Sequence, residues 1–413
     1  MKIILTQGLH RITQKVGCTL FALSLRPLWY ISAGLFYFFV SCIEPFEPVN
    51  VQDTAGILVV EGMILEKGTT IKLSRTIRLD SSLRNTSKYD AIHDAHVYVI
   101  DESNNVVAVA EPQIVDNKIN PGVYIVKGDI IFKPGTKFAL DIQIVDRHYQ
   151  SAFVSPVLTP EIDEVSWKIN DDMSLDIMVS THDPKGEVRY FRWAFEEDWE
   201  IHSFYFGEAI FDTYSKTLTD QDLFGPNNKF YCWDSDVSKS ILVGMSEKNT
   251  EAIIKNKRIH RIMPYDTRFS YLYSILVRQY GIDKEAYKYF DNLQKNIDPG
   301  NIFFAPQPTE IKGNIKCISD PDEPVIGYIV ATKEVVSRLF IDMQKSEVEE
   351  LHNCEEQYIY GLSDLTAAYL GGLGISAVDI NEGTFVCVNI RCVDCTLRGG
   401  TKNKPDFWPN NHQ

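Results

Sequence analysis

ILVVEGMILEKGTTIKLSRTI, residues 57–77, holds two β-branched runs, ILVVEGMI (57–64) and TIKLSRTI (70–77), parted by Glu66-Lys67-Gly68-Thr69. Branched side chains suit a pleated half-buried surface, and a short Gly-containing break between two such runs reads as a hairpin. Working outward, DAHVYVID, NVVAVAE, GVYIVKG and TKFALDIQIVD continue at strand length, with DESNN and NKINPG as breaks. About seven short strands over 56–158 predict an N-terminal antiparallel β-sandwich of immunoglobulin or fibronectin type.

The Pro-bounded SPVLTPEIDEV (155–165) reads as a join. Beyond it WKIN, LDIMVST, RYFRWAFEEDWEIHSFYF and YLYSILVRQYG are strand-like again, so 159–413 is expected to form a second β-sandwich-like domain with a Cys-rich end. One helix interrupts it near 283–296. Asp283 stands as its N-cap, Ala286, Tyr289, Phe290 and Leu293 share a face, and Asp298-Pro299-Gly300 ends it. GNIKCIS, VIGYIVAT and TFVCVNIRC resume the strands. The expected fold class is mainly β, two sandwiches with a short helical insertion in the second.

Upstream of the hairpin the chemistry changes. Lys2, Arg11, Lys15 and Arg26 precede the apolar stretch 28–40, and Glu44 is the first acid of the chain. A basic n-region before a short apolar run reads as a leader over 1–41. Thirteen residues are few for a bilayer core of about 30 Å at about 1.5 Å per residue. Phe39-Val40-Ser41 before Cys42 resembles a relaxed lipobox, which makes Cys42 the expected acyl acceptor and 42–55 a Pro- and Glu-containing tether. The alternative is an ordinary signal peptide with Cys42 left as a disulfide partner.

The full chain has 41 basic and 56 acidic residues, a net charge of −15, and all four leader charges are basic. The chain from Cys42 onward is therefore more acidic still, which argues against nucleic acid and against docking on anionic lipid. Such a balance suits an exported surface that stays soluble while tethered through a lipid anchor.

Six cysteines lie beyond the tether: Cys232, Cys317, Cys354, Cys387, Cys392 and Cys395. In an exported protein they are disulfide candidates, with 15 connectivities open. Cys387, Cys392 and Cys395 with Cys354 or Cys317 would otherwise suit zinc, and Cys392-Val393-Asp394-Cys395 a redox pair; only one Cys-x-x-Cys arm is present and it follows a strand-like run, which favours a stapled C-terminus. No cofactor, metal or catalytic residue is expected. His93 and His96 would point to opposite faces of a strand, and Gly372, Gly374 and Ala377 read as a loop rather than a nucleotide site. Glu196, Glu197, Asp198 and Glu200 could supply paired carboxylates or calcium ligands, but neighbours on a strand alternate faces.

Aromatic residues crowd 190–211, with Tyr231 and Trp233 close behind. Trp193, Trp199, Tyr205 and Trp233 are candidates for a platform that stacks on a glycan or peptide ligand; the competing reading makes Phe191, Trp193 and Phe195 one face of a core strand. Asp53-Thr54-Ala55 resembles a short O-glycosylation acceptor pattern at Thr54.

VVEGMI, LSRT, DAHVYV, PEIDEV, RWAFEEDWE, YCW, YSILVRQY, GNI, DEPVIGYIVA and the terminal CVDCTLRGGTKNKPDFWP, in that order, resemble the Bacteroidota proteins grouped as domain of unknown function 4249, over about 43–409. The resemblance implies an exported outer-membrane lipoprotein encoded beside TonB-dependent receptors and supplies no catalytic residue. It makes an accessory or ligand-binding subunit of a TonB-dependent nutrient transporter the leading expectation. A structural or assembly factor of the envelope is the alternative, and a hydrolase of surface polymers a third.

Overall fold

The hairpin that opens the chain's β structure forms as its pattern dictates. Leu58–Gly62 pairs antiparallel with Thr70–Arg75, Val60 opposite Leu73, so that Leu58, Val60, Ile71 and Leu73 all turn inward. Thr69 clamps the turn: its hydroxyl accepts from the Leu65 N–H at 2.8 Å and donates to the Leu65 carbonyl at 2.9 Å. The computed structural model describes residues 56–77, 90–223, 225, 228–246, 252–264, 266–297, 312–343, 354–379 and 383–409. All of them fall in one unit, Thr54–Gln413. The leader, Cys42, the tether and Thr54 lie outside the described residues.

The described chain is mainly β, in several sheets that are almost wholly antiparallel. The largest has ten strands. From one end it runs Ile315–Cys317, Arg147–Ser151, Phe138–Ile144, Ala95–Asp101, Val106–Val115, Lys118–Val126, Thr70–Arg75, Leu58–Gly62 and Val325–Ile326, with Asp90–Ala91 beside Thr70–Arg75. Its two end strands belong to one late excursion of the chain, and the sheet curls into a nearly closed barrel around Leu58, Val97, Val99, Phe138, Leu140 and Tyr149. The last contact, Leu58–Gly62 with Val325–Ile326, is parallel.

The GNI motif makes this closure. Asn314 Nδ2 donates to the Ile329 carbonyl and Asn314 Oδ1 accepts from the Ile329 N–H, both at 2.8 Å. The backbones come so close that a Cβ on Gly313 would stand 1.8 Å from the Gly327 oxygen, and one on Gly327 would stand 2.4 Å from the Val60 oxygen. No side chain fits at either position.

Two further sheets face each other across a second interior. One holds Ile162–Ile169, Leu175–Asp183 and Ala252–Ile262; the other runs Tyr231–Val237, Tyr190–His202, Leu272–Ile282, Glu334–Asp342, with Leu242–Met245 also paired to Tyr190–His202. Ile177 and Val179 meet Phe191, Trp193, Phe195, Tyr273 and Ile275 between them. A smaller sheet, Thr217–Asp220, Ala209–Asp212, Leu373–Asp379, Thr384–Asn389 and Gln357–Tyr360, carries the helix Gly361–Leu370. The expected loop at Gly372 to Ala377 is instead mostly strand, and Gly374 is tight because a Cβ there would meet Val393 at 2.3 Å.

The expected helix forms as Lys284–Ile297, with Asp283 Oδ1 accepting from the Ala286 N–H at 2.8 Å. Ala286, Tyr289 and Phe290 are buried with Met63, Tyr280, Ile282 and Val330, against the face of the Tyr190–His202 sheet that carries Tyr190 and Ala194. The Pro-bounded join is a hydrogen-bonded hub. The Thr159 hydroxyl accepts from the Gly281 N–H at 2.8 Å, the Gln279 amide donates to the Pro160 carbonyl at 3.0 Å, and Val157 bridges to Thr332.

Candidate functional site

Strand Tyr190–His202 sorts its side chains by parity. Phe191, Trp193, Phe195, Glu197 and Trp199 are all buried on the side of the second interior, while Arg192, Ala194 and Glu196 line an open cleft on the other side. The cleft has a volume of about 610 Å³, and its opposite wall is the first hairpin, with Glu61, Met63, Lys67, Thr70 and Lys72. Arg278, Tyr280 and Glu334, from the two next strands, complete the floor.

The floor is held by charge-assisted bonds. Arg278 donates through Nη2 to Glu196 at 2.8 Å and through Nη1 to Glu334 at 2.9 Å, and the Tyr280 hydroxyl donates to Glu334 at 2.7 Å. Burial, then the neighbouring Glu334, pushes the Tyr280 phenol above its ordinary value, so it remains a donor. Arg192 differs. Its guanidinium lies 4.4 Å over the Phe290 ring, and among the described residues it forms no ion pair. Burial pulls its pKa below the usual arginine value.

The acidic run that could have been catalytic is committed to structure. Glu196 holds Arg278, and Asp198 lies 3.4 Å from Arg338. Glu197 accepts from Arg268 at 2.6 Å and from Tyr273 at 2.7 Å, and Glu200 accepts from Trp408 Nε1 at 3.1 Å and contacts His202. Burial works to raise the Glu197 pKa, yet His260, Tyr273 and Arg268 together hold it below the ordinary glutamate value. His260 Nε2 is 3.2 Å from Glu197 but poorly aligned for a hydrogen bond. No group of three or more His, Cys, Asp and Glu among the described residues is arranged to hold a metal ion.

The aromatic platform candidates are placed elsewhere. Trp193 is 1% exposed and donates through Nε1 to Gln279 Oε1 at 2.9 Å; Trp199 and Trp233 are also buried, and Tyr205 packs against Val388, Cys392 and Val393. A ring enclosed by core cannot offer a face to a sugar or peptide, so the three tryptophans are packing residues.

Of the six cysteines, four pair, Cys232 with Cys395 and Cys354 with Cys392; Cys317 and Cys387 are free and buried. Cys392 and Cys395 belong to different bridges and form no dithiol centre. A smaller recess of about 390 Å³ is lined by Lys257, Arg258, His260 and Arg261, but Arg258 and Arg261 already face Asp176 at 3.8 and 2.6 Å.

Sequence reasoning missed Arg192 and Arg278 as lining residues. The parity of RYFRWAFE carried the signal: an arginine one position from each of two core aromatics must face the other side of the sheet.

A family model described as a domain of unknown function matches residues 43–338, well over half of the chain and every lining residue of the larger cleft. None of the curated proteins matches.

Proposed function

Since the chain belongs to the domain of unknown function 4249 family, we propose that it is a lipid-anchored outer-membrane protein serving as the ligand-binding or accessory subunit of a TonB-dependent nutrient transporter. The observation that carries the binding role is the cleft between the first hairpin and the Tyr190–His202 sheet, a recess of small-ligand size with a rigid, charge-bearing floor. Binding is favoured over hydrolysis because Glu196, Glu197, Asp198 and Glu200 are all occupied by arginine, tyrosine, histidine or tryptophan partners. Attachment rests on the leader pattern and Cys42.

The same reading divides the chain near residue 158 into two β bodies, the first built on the curled ten-stranded sheet in place of the expected sandwich and the second on the two facing sheets. Its support is the separation of the interior into two large clusters, one around Val97 and Leu140 and the other around Trp193 and Ile275. The strands from 315–332 would then belong to the first body.

Gentle detergent extraction of the tagged full-length protein from its own membranes is expected to bring down a large β-barrel receptor. Its consistent absence would remove the transporter role. Fatty-acid labelling that fails to mark Cys42 would remove the anchor.

A further inference from the structure

We propose that the cleft recognises a small hydrophilic solute by one carboxylate, seated on Arg192. The inference rests on the ligand-binding reading above and names the chemistry of the ligand.

Arg268, Arg278, Arg338 and Arg261 each hold a protein carboxylate at 3.4 Å or less. Arg192 lines the cleft over the ring of Phe290 and, among the described residues, forms no ion pair; Glu61, Tyr280 and Tyr289 act on it only beyond ion-pair distance. The cation–π contact and the more distant Glu61 carboxylate offset part of the cost of taking this guanidinium out of water, and an anion seated directly on it would offset more. The Phe290 ring also restrains the guanidinium, whose planar fork matches a planar carboxylate.

The surroundings decide between anions. Glu61, Glu196 and Glu334 line the same cleft beside Lys67, Lys72, Arg192 and Arg278, so the lining carries one net positive charge, which one carboxylate neutralises and a doubly charged phosphate exceeds. Beyond the bonds they accept from Arg278 and Tyr280, Glu196 and Glu334 keep lone pairs that can accept from hydroxyl or ammonium groups on the rest of the ligand. A uronic acid sugar and an amino acid share this pattern of one carboxylate with several donors, and either fits a recess of about 610 Å³.

Calorimetric titration of the full-length protein in detergent with galacturonate, glutamate, galactose and inorganic phosphate tests the proposal. Galacturonate or glutamate is expected to bind at least about tenfold more tightly than galactose and phosphate, and which of the two binds identifies the source of the carboxylate. Arg192→Met keeps an aliphatic stem over Phe290 and should weaken the preferred carboxylate about tenfold or more, with Arg192→Lys intermediate. Glu61→Gln, at an exposed rim position, should tighten it roughly two- to threefold; it carries the test if the Arg192 variants do not fold. The proposal fails if neither carboxylate binds, if phosphate binds as tightly, or if a folded Arg192→Met protein keeps wild-type affinity. Co-purification of the β-barrel partner is scored separately. Partner retained without carboxylate binding sinks this inference alone, and carboxylate binding without a partner sinks the transporter role alone.

Discussion

Asn314 takes both backbone polar groups of Ile329 with one side-chain amide, donating to its carbonyl and accepting from its N–H at 2.8 Å each. One residue thereby replaces a rung of the β ladder where the first sheet comes round on itself. Asn314→Ala would leave two backbone groups unpaired at the seam, at a cost of about 1–3 kcal/mol each where water cannot reach them. Equilibrium urea denaturation should show a lower midpoint at unchanged slope. A midpoint equal to wild type would mean that the seam closes without the amide.

Trp193 and Gln279 predict a stability effect without a binding effect. Gln279 accepts from the indole N–H and donates to Thr181 Oγ1 and to the Pro160 carbonyl, at full burial. Gln279→Leu orphans all three, and a loss of about 3 kcal/mol or more is expected; Trp193→Ala should cost about 3–5 kcal/mol. Chemical denaturation reads both. Carboxylate affinity of the folded fraction should be unchanged, since these side chains lie behind the sheet.

Asp176 supplies the pH prediction. Arg261 binds it through Nε and Nη2 at 2.6 and 2.9 Å and holds its carboxyl at about 2, below the free-chain value of about 3.9. A depressed folded pKa means that the stabilisation is fully present above about pH 4 and is lost as pH falls through about 2. Asp176→Asn should cost about 1 kcal/mol at pH 7, as suits a partly solvated pair. The difference from wild type should shrink toward zero near pH 2, and a gap constant across that range would contradict the linkage.

Non-reducing peptide mapping should recover Cys232 joined to Cys395 and Cys354 joined to Cys392, with Cys317 and Cys387 alkylated only after unfolding. Burial pushes the Cys387 thiol up to about 11. At pH 8 its thiolate is then about one part in a thousand, and maleimide should leave it unlabelled in the native protein. Replacing Cys232 and Cys395 together by Ala should cost about 2–5 kcal/mol, read by chemical denaturation.

Much of the secondary structure was legible in local pattern. The 57–77 hairpin, the 272–282 strand and the Asp283-capped helix each carry their own periodicity and turn chemistry. The strand Ala252–Ile262 was missed because AIIKNKRIHRI places four charged or polar residues in succession at its centre, where the backbone bulges at Asn256, φ +49°. Gly361–Leu370 was missed because it starts without a side-chain cap. Four of the six cysteines expected in bridges form them and Cys317 and Cys387 do not; the pairing was not legible, since Cys232 and Cys395 meet across 163 positions. The cleft was half legible: strand parity turns Arg192 and Glu196 away from the aromatics, but only the fold brings Glu61 opposite them.

The seam also dictates an order of assembly. Arg147 meets Asp320 across 173 positions, and the strands that complete the first sheet come from the same late excursion. A chain emerging N-terminus first exposes the open edge of Leu58–Gly62 until residues beyond 326 arrive. Such distant pairing makes for slow folding. If the chain is exported, as proposed above, this delay is useful: a barrel that cannot close early stays unfolded enough to be threaded through a secretion channel, at the cost of a long interval in which its unfinished edge must be guarded.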